Sequence, residues 1–168
     1  TEFVQWRKLF EPVAPMAGWI DKQQAKMRAA ALLGEDWSVP TLWSGSELPV
    51  RPPAPLPLMV KARHGCNQYQ PVHTEADWQK ARRRSRGWMR APYGTWLDER
   101  AYRDVPRVIL VEPLLGGTGL PRDYKIYVFA GRAACIQIHV DLAADHRWVQ
   151  MRLDGTPHVI VGIMPPTF

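Results

Sequence analysis

A chain of 168 residues, 46% of them hydrophobic, suits one domain or one and a part and is too apolar for a disordered segment. Its 22 Lys and Arg against 16 Asp and Glu leave a charge of +6, which favours anionic partners such as nucleotides, nucleic acid or acidic metabolites. No run approaches the roughly 18 uncharged apolar residues of a membrane-spanning helix, "TEFVQWRKLFEP" lacks the apolar centre of a signal peptide, and Cys66 and Cys135 stand far apart without companions at metal-ligand spacing; a soluble, cytoplasmic protein with neither disulfide framework nor zinc site is expected.

The first clear element is the helix in "WIDKQQAKMRAAALLGEDW", with Asp21 as N-cap, Gln24 closing a capping box, Ile20 and Ala25 as a staple, an alanine-rich body and Gly34 as its stop. A short strand in "VPTLW" leads to a proline-rich connector from about Leu48 to Pro57, expected to be extended and exposed and to join two sub-domains. A strand, "LMVK", ends near Lys61 and gives way to a turn containing Gly65. Thr74 and Asp77 form a T-x-x-D capping box for a second helix. There Trp78, Ala81, Ser85, Trp88 and Met89 recur at helical spacing, so Lys80, Arg82, Arg83, Arg84, Arg86 and Arg90 occupy the opposite side, as a solvated face or as a patch for nucleic acid or substrate. After the irregular link "APYGTWLDERAYRDVP", the continuous apolar run "RVILVEPLL" suits a strand covered on both faces. "RDYKIYVFAGRAACIQIHVD" then reads as a buried hairpin turning at Gly131-Arg132 in the Gly-X pattern of a type II′ connection. "RWVQMRL" and "HVIVGIM" are the remaining strands. Helices first and an antiparallel sheet last make an α+β arrangement.

Few residues are candidates for chemistry. Lys61, where a strand meets a flexible turn, suits neutralisation of phosphate oxygens approached by backbone N–H groups, or simply reaches solvent. Lys22 sits in the first turn of its helix, where the macrodipole disfavours a cation; another use or surface tolerance accounts for it. Glu112 closes "VILVE" before Pro113 and either reads an amino-substituted ring edge or faces water. Asp123 and Lys125 share one face of their strand, as holders of a ligand's hydroxyls and phosphate or as a mutual pair. His64, His139 and the other histidines show no ligand spacing, and no Ser-His-Asp elbow, Walker loop or glycosidase-like carboxylate pair is present.

The ordered set "DKQQAKMRAAALLGEDWSVPTLW", "PLMVKARHG", "YRDVPRVILVEPLL" and "DYKIYVFAGR" resembles the ATP-grasp fold, most closely its TupA-like branch associated with polysaccharide and teichuronopeptide synthesis, and the resemblance covers nearly the whole chain. It implies two α+β lobes with antiparallel sheets gripping ATP, divided into an N-terminal helical segment (1–44), a small lid lobe (45–106) and the start of a C-terminal lobe (107–168). By the same resemblance Lys22 and Lys61 contact ATP phosphates beneath a mobile turn containing His64 and Gly65. Glu112 and the backbone at Leu114 receive adenine, Asp123 takes the ribose hydroxyls, and Lys125 lies near the transferred phosphoryl group, which makes Lys61 and Lys125 the catalytic candidates. The implied reaction is carboxylate-amine ligation through an acyl phosphate, with Mg²⁺, on small-molecule carboxylates and amines such as sugar acids and amino acids.

Two departures from the family pattern stand out. Gly65-Cys66-Asn67 replaces a loop richer in glycine and serine, and the chain stops at "GIMPPTF" with no residue matching the family's acidic and amide metal ligands; Asp141, Asp145 and Asp154 do not fit their contexts. A C-terminal portion beyond Phe168 is therefore expected. The other readings are a nucleic-acid-binding module built on the arginine helix and eight tryptophans, and a degenerate ATP-grasp scaffold without catalysis.

Overall fold

The structure, a computed structural model, describes residues 2–10, 14–97, 99–116, 122–140 and 147–153. The chain is α+β, with two antiparallel sheets in two compact units, Thr1–Leu114 and Leu115–Phe168. Among the described residues no helix is long and apolar enough to cross a membrane.

Three helices open the first unit: α1 (Glu2–Phe10), α2 (Ala14–Ile20) and α3 (Lys22–Leu33). Only α3 is anticipated from its sequence. Asp21 caps it as expected, its carboxylate accepting from the N–H groups of Gln23 (3.0 Å) and Gln24 (3.3 Å), and Gly34 ends it with an N–H donated to the Ala30 carbonyl. Four strands follow, β1 (Trp43–Gly45), β2 (Leu58–Ala62), β3 (Tyr69–Val72) and β4 (Ile109–Pro113), in the order β1-β4-β2-β3 and antiparallel at every junction. Pro71 is tolerated because β3 is an edge strand, where a missing N–H breaks no ladder on its outer side.

Period-two alternation sorts this sheet into two faces. Leu58, Val60, Ala62, Val72, Ile109 and Val111 form one, buried against Trp78, Ala81 and Trp88 of α4 (Glu75–Trp88). The expected capping box opens α4: Thr74 Oγ1 accepts from the Asp77 N–H at 3.2 Å and the Asp77 carboxylate accepts from the Thr74 N–H at 3.0 Å. Met59, Lys61, Leu110 and Glu112 share the opposite face.

Three expectations about this unit need correction. The proline-rich connector is a tether within one sheet and not a link between sub-domains: it joins β1 to β2, and β4 lies between them. It is also not fully exposed. Leu48 is buried, Ala54 and Leu56 pack on the core, and Trp78 Nε1 donates to the carbonyls of Pro49 (3.3 Å) and Val50 (3.2 Å). β4, assigned from sequence to residues 107–168, is an interior strand of the first unit's sheet, so the division falls after Leu114.

In the second unit β5 (Asp123–Phe129), β6 (Arg132–Val140) and β7 (Arg147–Arg152) form a meander. The hairpin is real, but its turn is Ala130-Gly131, with φ of 49° and 76°. Two consecutive left-handed residues are the type I′ pattern, which replaces the expected II′, and Gly131 takes such a φ at little cost. A register shift after Tyr127 accompanies it. Nor is β5 buried: Tyr124, Ile126, Val128 and Phe129 are all exposed. The expected strand "HVIVGIM" lies outside the described residues.

Candidate functional site

A buried carboxylate organises the polar face of the first sheet. Glu112 stands opposite Met59 in the β2–β4 ladder, so its side chain reaches diagonally toward Lys61, which stands opposite Leu110. Lys61 Nζ donates to Glu112 Oε2 at 2.7 Å, while Oε1 accepts from Lys26 Nζ of α3. Lys26 has two further acceptors, the Val39 carbonyl at 2.7 Å and Thr41 Oγ1 at 3.1 Å. All three of its protons are thereby engaged. Among the described residues Lys61 is bound only through Glu112, and it remains partly exposed, so it retains donors for a ligand.

Lys22 is one helical turn before Lys26 and projects from the same side of α3. Its ammonium donates to the Gly65 carbonyl, which ties the start of α3 to the turn after β2. Burial pulls its pKa below the ordinary 10.5, and the Lys61 charge adds to the fall; Cys66, Glu112 and Asp21 oppose it. A second tie is bidentate. Arg63 donates through Nε to Asp21 Oδ1 (2.7 Å) and through Nη2 to Oδ2 (2.6 Å), so one carboxylate both caps α3 and fixes the turn. Burial alone raises the Asp21 carboxyl, but hydrogen bonds and charge from Arg63 and the N–H groups of Gln23 and Gln24 reverse this and hold it below 3.8.

The turn itself is packed from below. His64 is fully buried, and its Nε2 lies 2.9 Å from the Trp88 carbonyl at the end of α4. Burial foremost, with the Lys22 and Arg107 charges, pushes its pKa below 6.5, so the imidazole is neutral and Nε2–H is the donor. At Gly65 a Cβ would meet the end of the Gln68 side chain and lie 3.2 Å from Tyr93 Cδ2, so a larger residue fits only if these side chains shift. Tyr93 meets Tyr102 edge-on at 4.9 Å, and burial, then Cys66, Glu99 and Tyr93, push the Tyr102 phenol up to about 12.

The structure thus brings together Lys22, Lys61, His64, Gly65 and Glu112, with Leu114 two residues beyond Glu112 on β4. Asp123 and Lys125 belong to the second unit, on one face of β5 as expected and opposite His139 and Gln137 of β6. Sequence reasoning missed Lys26, Arg63 and the pairing role of Asp21. For Lys26 a signal existed, its spacing of four from Lys22; for Arg63 only adjacency to the candidate turn pointed to it.

Three ammoniums against one carboxylate, with Arg63 and Asp21 cancelling each other, leave a surplus of positive charge beside a turn. Such a cluster attracts an anion with several oxygens. Among the described residues no three of His, Cys, Asp and Glu come together as a metal set. A groove of about 500 Å³ lined by Gln23, Gln24, Met27, Arg28, Ala31 and Arg63 follows a different side of α3 from the lysines. No protein-family model, curated protein or solved structure matches the chain.

Proposed function

We propose that residues 1–114 form the nucleotide-binding lobe of an ATP-grasp protein of the TupA-like kind, and that the whole protein is an ATP-dependent carboxylate-amine ligase of cell-surface polysaccharide or peptide-conjugate synthesis. The observation that carries the reading is the convergence of Lys22 and Lys61, from a helix and a strand far apart in sequence, on one face beside the turn 63–67. In this reading Lys22 exchanges the Gly65 carbonyl for phosphate oxygens of ATP, and Lys61, still held by Glu112, offers them its remaining donors. The resemblance assigns ribose and phosphoryl contacts to Asp123 and Lys125, which belong to the second unit.

The substrate carboxylate attacks the γ-phosphorus, the bond to the β–γ bridging oxygen breaks, and ADP leaves with that electron pair. An amine then adds to the acyl phosphate carbonyl; inorganic phosphate departs, the nitrogen loses a proton and an amide remains. Fixed cations assist the first step by stabilising charge that moves from the γ-phosphate to the leaving oxygen. Glu112 acts differently from the role the resemblance gives it. Both carboxylate oxygens are held by lysines, so its contribution is to fix Lys61 in place.

The test is a thermal shift with ATP and Mg²⁺ on the wild type, Lys61→Ala and Asp123→Ala. A ligand at about 100 times its Kd stabilises the wild type by about 2.7 kcal/mol, and both variants need higher ATP for the same shift. Equal shifts in all three proteins refute the site assignment, and no shift in any refutes nucleotide binding. Release of ADP over a panel of sugar acids and amino acids then tests the ligase step.

A further inference from the structure

We propose that the outer face of α4 is an interaction surface for double-stranded DNA, gripped through its phosphates without reading of sequence. This surface lies across the first sheet from the lysine cluster: α4 packs on the face of Leu58, Val60 and Ala62, whereas Lys61 and Glu112 stand on the opposite one. It is therefore independent of the nucleotide reading. Between Asp77 and Asp98 the chain carries no acid, yet Lys80, Arg82, Arg83, Arg84, Arg86 and Arg90 all fall there. The macrodipole favours cations only in the last turn of a helix, and Lys80, Arg82 and Arg83 precede that turn. Like charges four residues apart, as at Lys80 and Arg84 or Arg82 and Arg86, destabilise a helix. Helix stability does not account for this set.

Lys80, Arg83, Gly87 and Arg90 follow one another at steps of three, four and three, which places them in a line along the exposed ridge of α4, turned away from the core. Among the described residues the three cations of this line have no carboxylate partner. Beyond the helix itself nothing lies within 4 Å of where a Gly87 Cβ would sit, so the middle of the line is open to a phosphate. The flanking guanidiniums are oriented but mostly not neutralised. Arg82 donates to Gln79 Oε1 (3.0 Å) and Arg84 to Oε1 of the buried Gln70 (2.7 Å), both neutral amides; Arg86 alone has a carboxylate, Glu47 at 2.9 Å. Guanidiniums anchored in this way keep further N–H groups in the planar fork that matches phosphate.

The chemistry of the surface narrows the choice of polyanion. Insertion at a membrane needs an apolar face, and protein interfaces centre on aromatic and apolar anchors. The apolar residues of α4 are spent on the core. Single strands are held by stacking their bases on aromatic rings, and the line from Lys80 to Arg90 carries none. A duplex keeps its bases inside and offers phosphates, which position a protein without specifying sequence. With Arg82 and Arg86 on one flank of the line and Arg84 on the other, α4 meets both phosphate walls of a B-form major groove, which is about 12 Å wide and admits a helix; the narrow A-form groove of duplex RNA does not.

The experiment follows the fluorescence anisotropy of labelled DNA duplexes of two unrelated sequences against the whole chain as salt is raised. With Arg86 already paired, about five cations remain for phosphates, so the slope of log affinity against log salt is about −4.5 and affinity falls about 500-fold between about 50 and 200 mM, equally for both sequences. Arg83→Gln combined with Arg90→Gln makes the slope shallower by about 1.8 and leaves the thermal shift with ATP as in the wild type. Gly87→Glu, which sets a carboxylate in the open middle of the line, weakens DNA binding, whereas Gly87→Ala binds as the wild type does. A wild-type slope shallower than about −1, or affinity unchanged in both the double variant and Gly87→Glu, overturns the proposal. Binding of single-stranded DNA, duplex RNA or vesicles of anionic lipid as tight as that of the DNA duplex overturns it as well.

Discussion

Replacing Glu112 by glutamine preserves its size and one acceptor oxygen but removes the charge that two ammoniums share. Glu112 is 2% exposed, whereas the Lys26 and Lys61 side chains are 22% and 33% exposed, so the cluster is intermediate between a surface pair and a buried one. Stripping one partner from a fully buried pair costs about 3–5 kcal/mol, and an exposed pair contributes about 0.2–1 kcal/mol. With the carboxylate buried and the ammoniums half wet, Glu112→Gln should destabilise the first unit by about 2 kcal/mol. Lys26→Met also unmakes the bonds to Val39 and Thr41 and leaves Lys61 to hold the carboxylate, for about 1–2 kcal/mol. Because the two residues act through one contact, the double variant should lose about 1 kcal/mol less than the sum of the single losses. Urea unfolding followed by tryptophan fluorescence reports on the right region, since Trp148 is the only tryptophan outside residues 1–114. An unchanged m-value assigns the shift to stability. Single effects that add to within about 0.5 kcal/mol, or a Glu112→Gln midpoint equal to wild type, would refute the shared-carboxylate account.

Acid sensitivity should appear well above the carboxylate range. The folded-state pKa of His64 lies below 6.5, so between that value and 6.5 the unfolded chain binds more protons and stability rises with pH. Urea midpoints measured downward from about pH 7.5 should therefore fall as pH drops through 6.5, and His64→Gln should flatten this step. The Asp21 contribution does not overlap it, being present above 3.8 and lost as pH falls through a folded pKa lower still. A wild-type midpoint flat down to about pH 5 would contradict a buried neutral imidazole. At the start of α4, Thr74→Ala should cost about 1 kcal/mol in thermal unfolding while Thr74→Ser keeps the cap; equal losses in both would show that the hydroxyl is not what matters.

Local chemistry was legible from the sequence and long-range pairing was not. Asp21, Gly34 and the Thr74–Asp77 box sit where propensity alone puts them, because a cap involves residues two to four apart. The buried stripe of α4 followed from helical periodicity in the same way. Glu112 and Lys61 stood out as strand-end charges, yet nothing local reveals that they share a contact across 51 residues, or that Lys26 reaches the same carboxylate across 86. The connector looked like a linker because prolines signal extended chain; that its apolar members dock on Trp78 depends on where a helix lies that comes later in the chain. The hairpin turn was misplaced by one residue because Gly-Arg fits a II′ loop by composition, while the register of β5 against β6 puts the loop at Ala130-Gly131.

The position of β4 between β1 and β2 has a consequence for biosynthesis. Trp43 finds its ladder partner at Val111, and Met59, which faces Pro71 on one side, meets Glu112 on the other only when β4 arrives, so the central seam of the sheet cannot zip until more than a hundred residues have emerged from the ribosome. Before then β1 and β2 present naked edges, and the ammoniums of Lys26 and Lys61 await their counter-charge. The lysine–carboxylate cluster is thus assembled late and abruptly during translation, with the arrival of one five-residue strand.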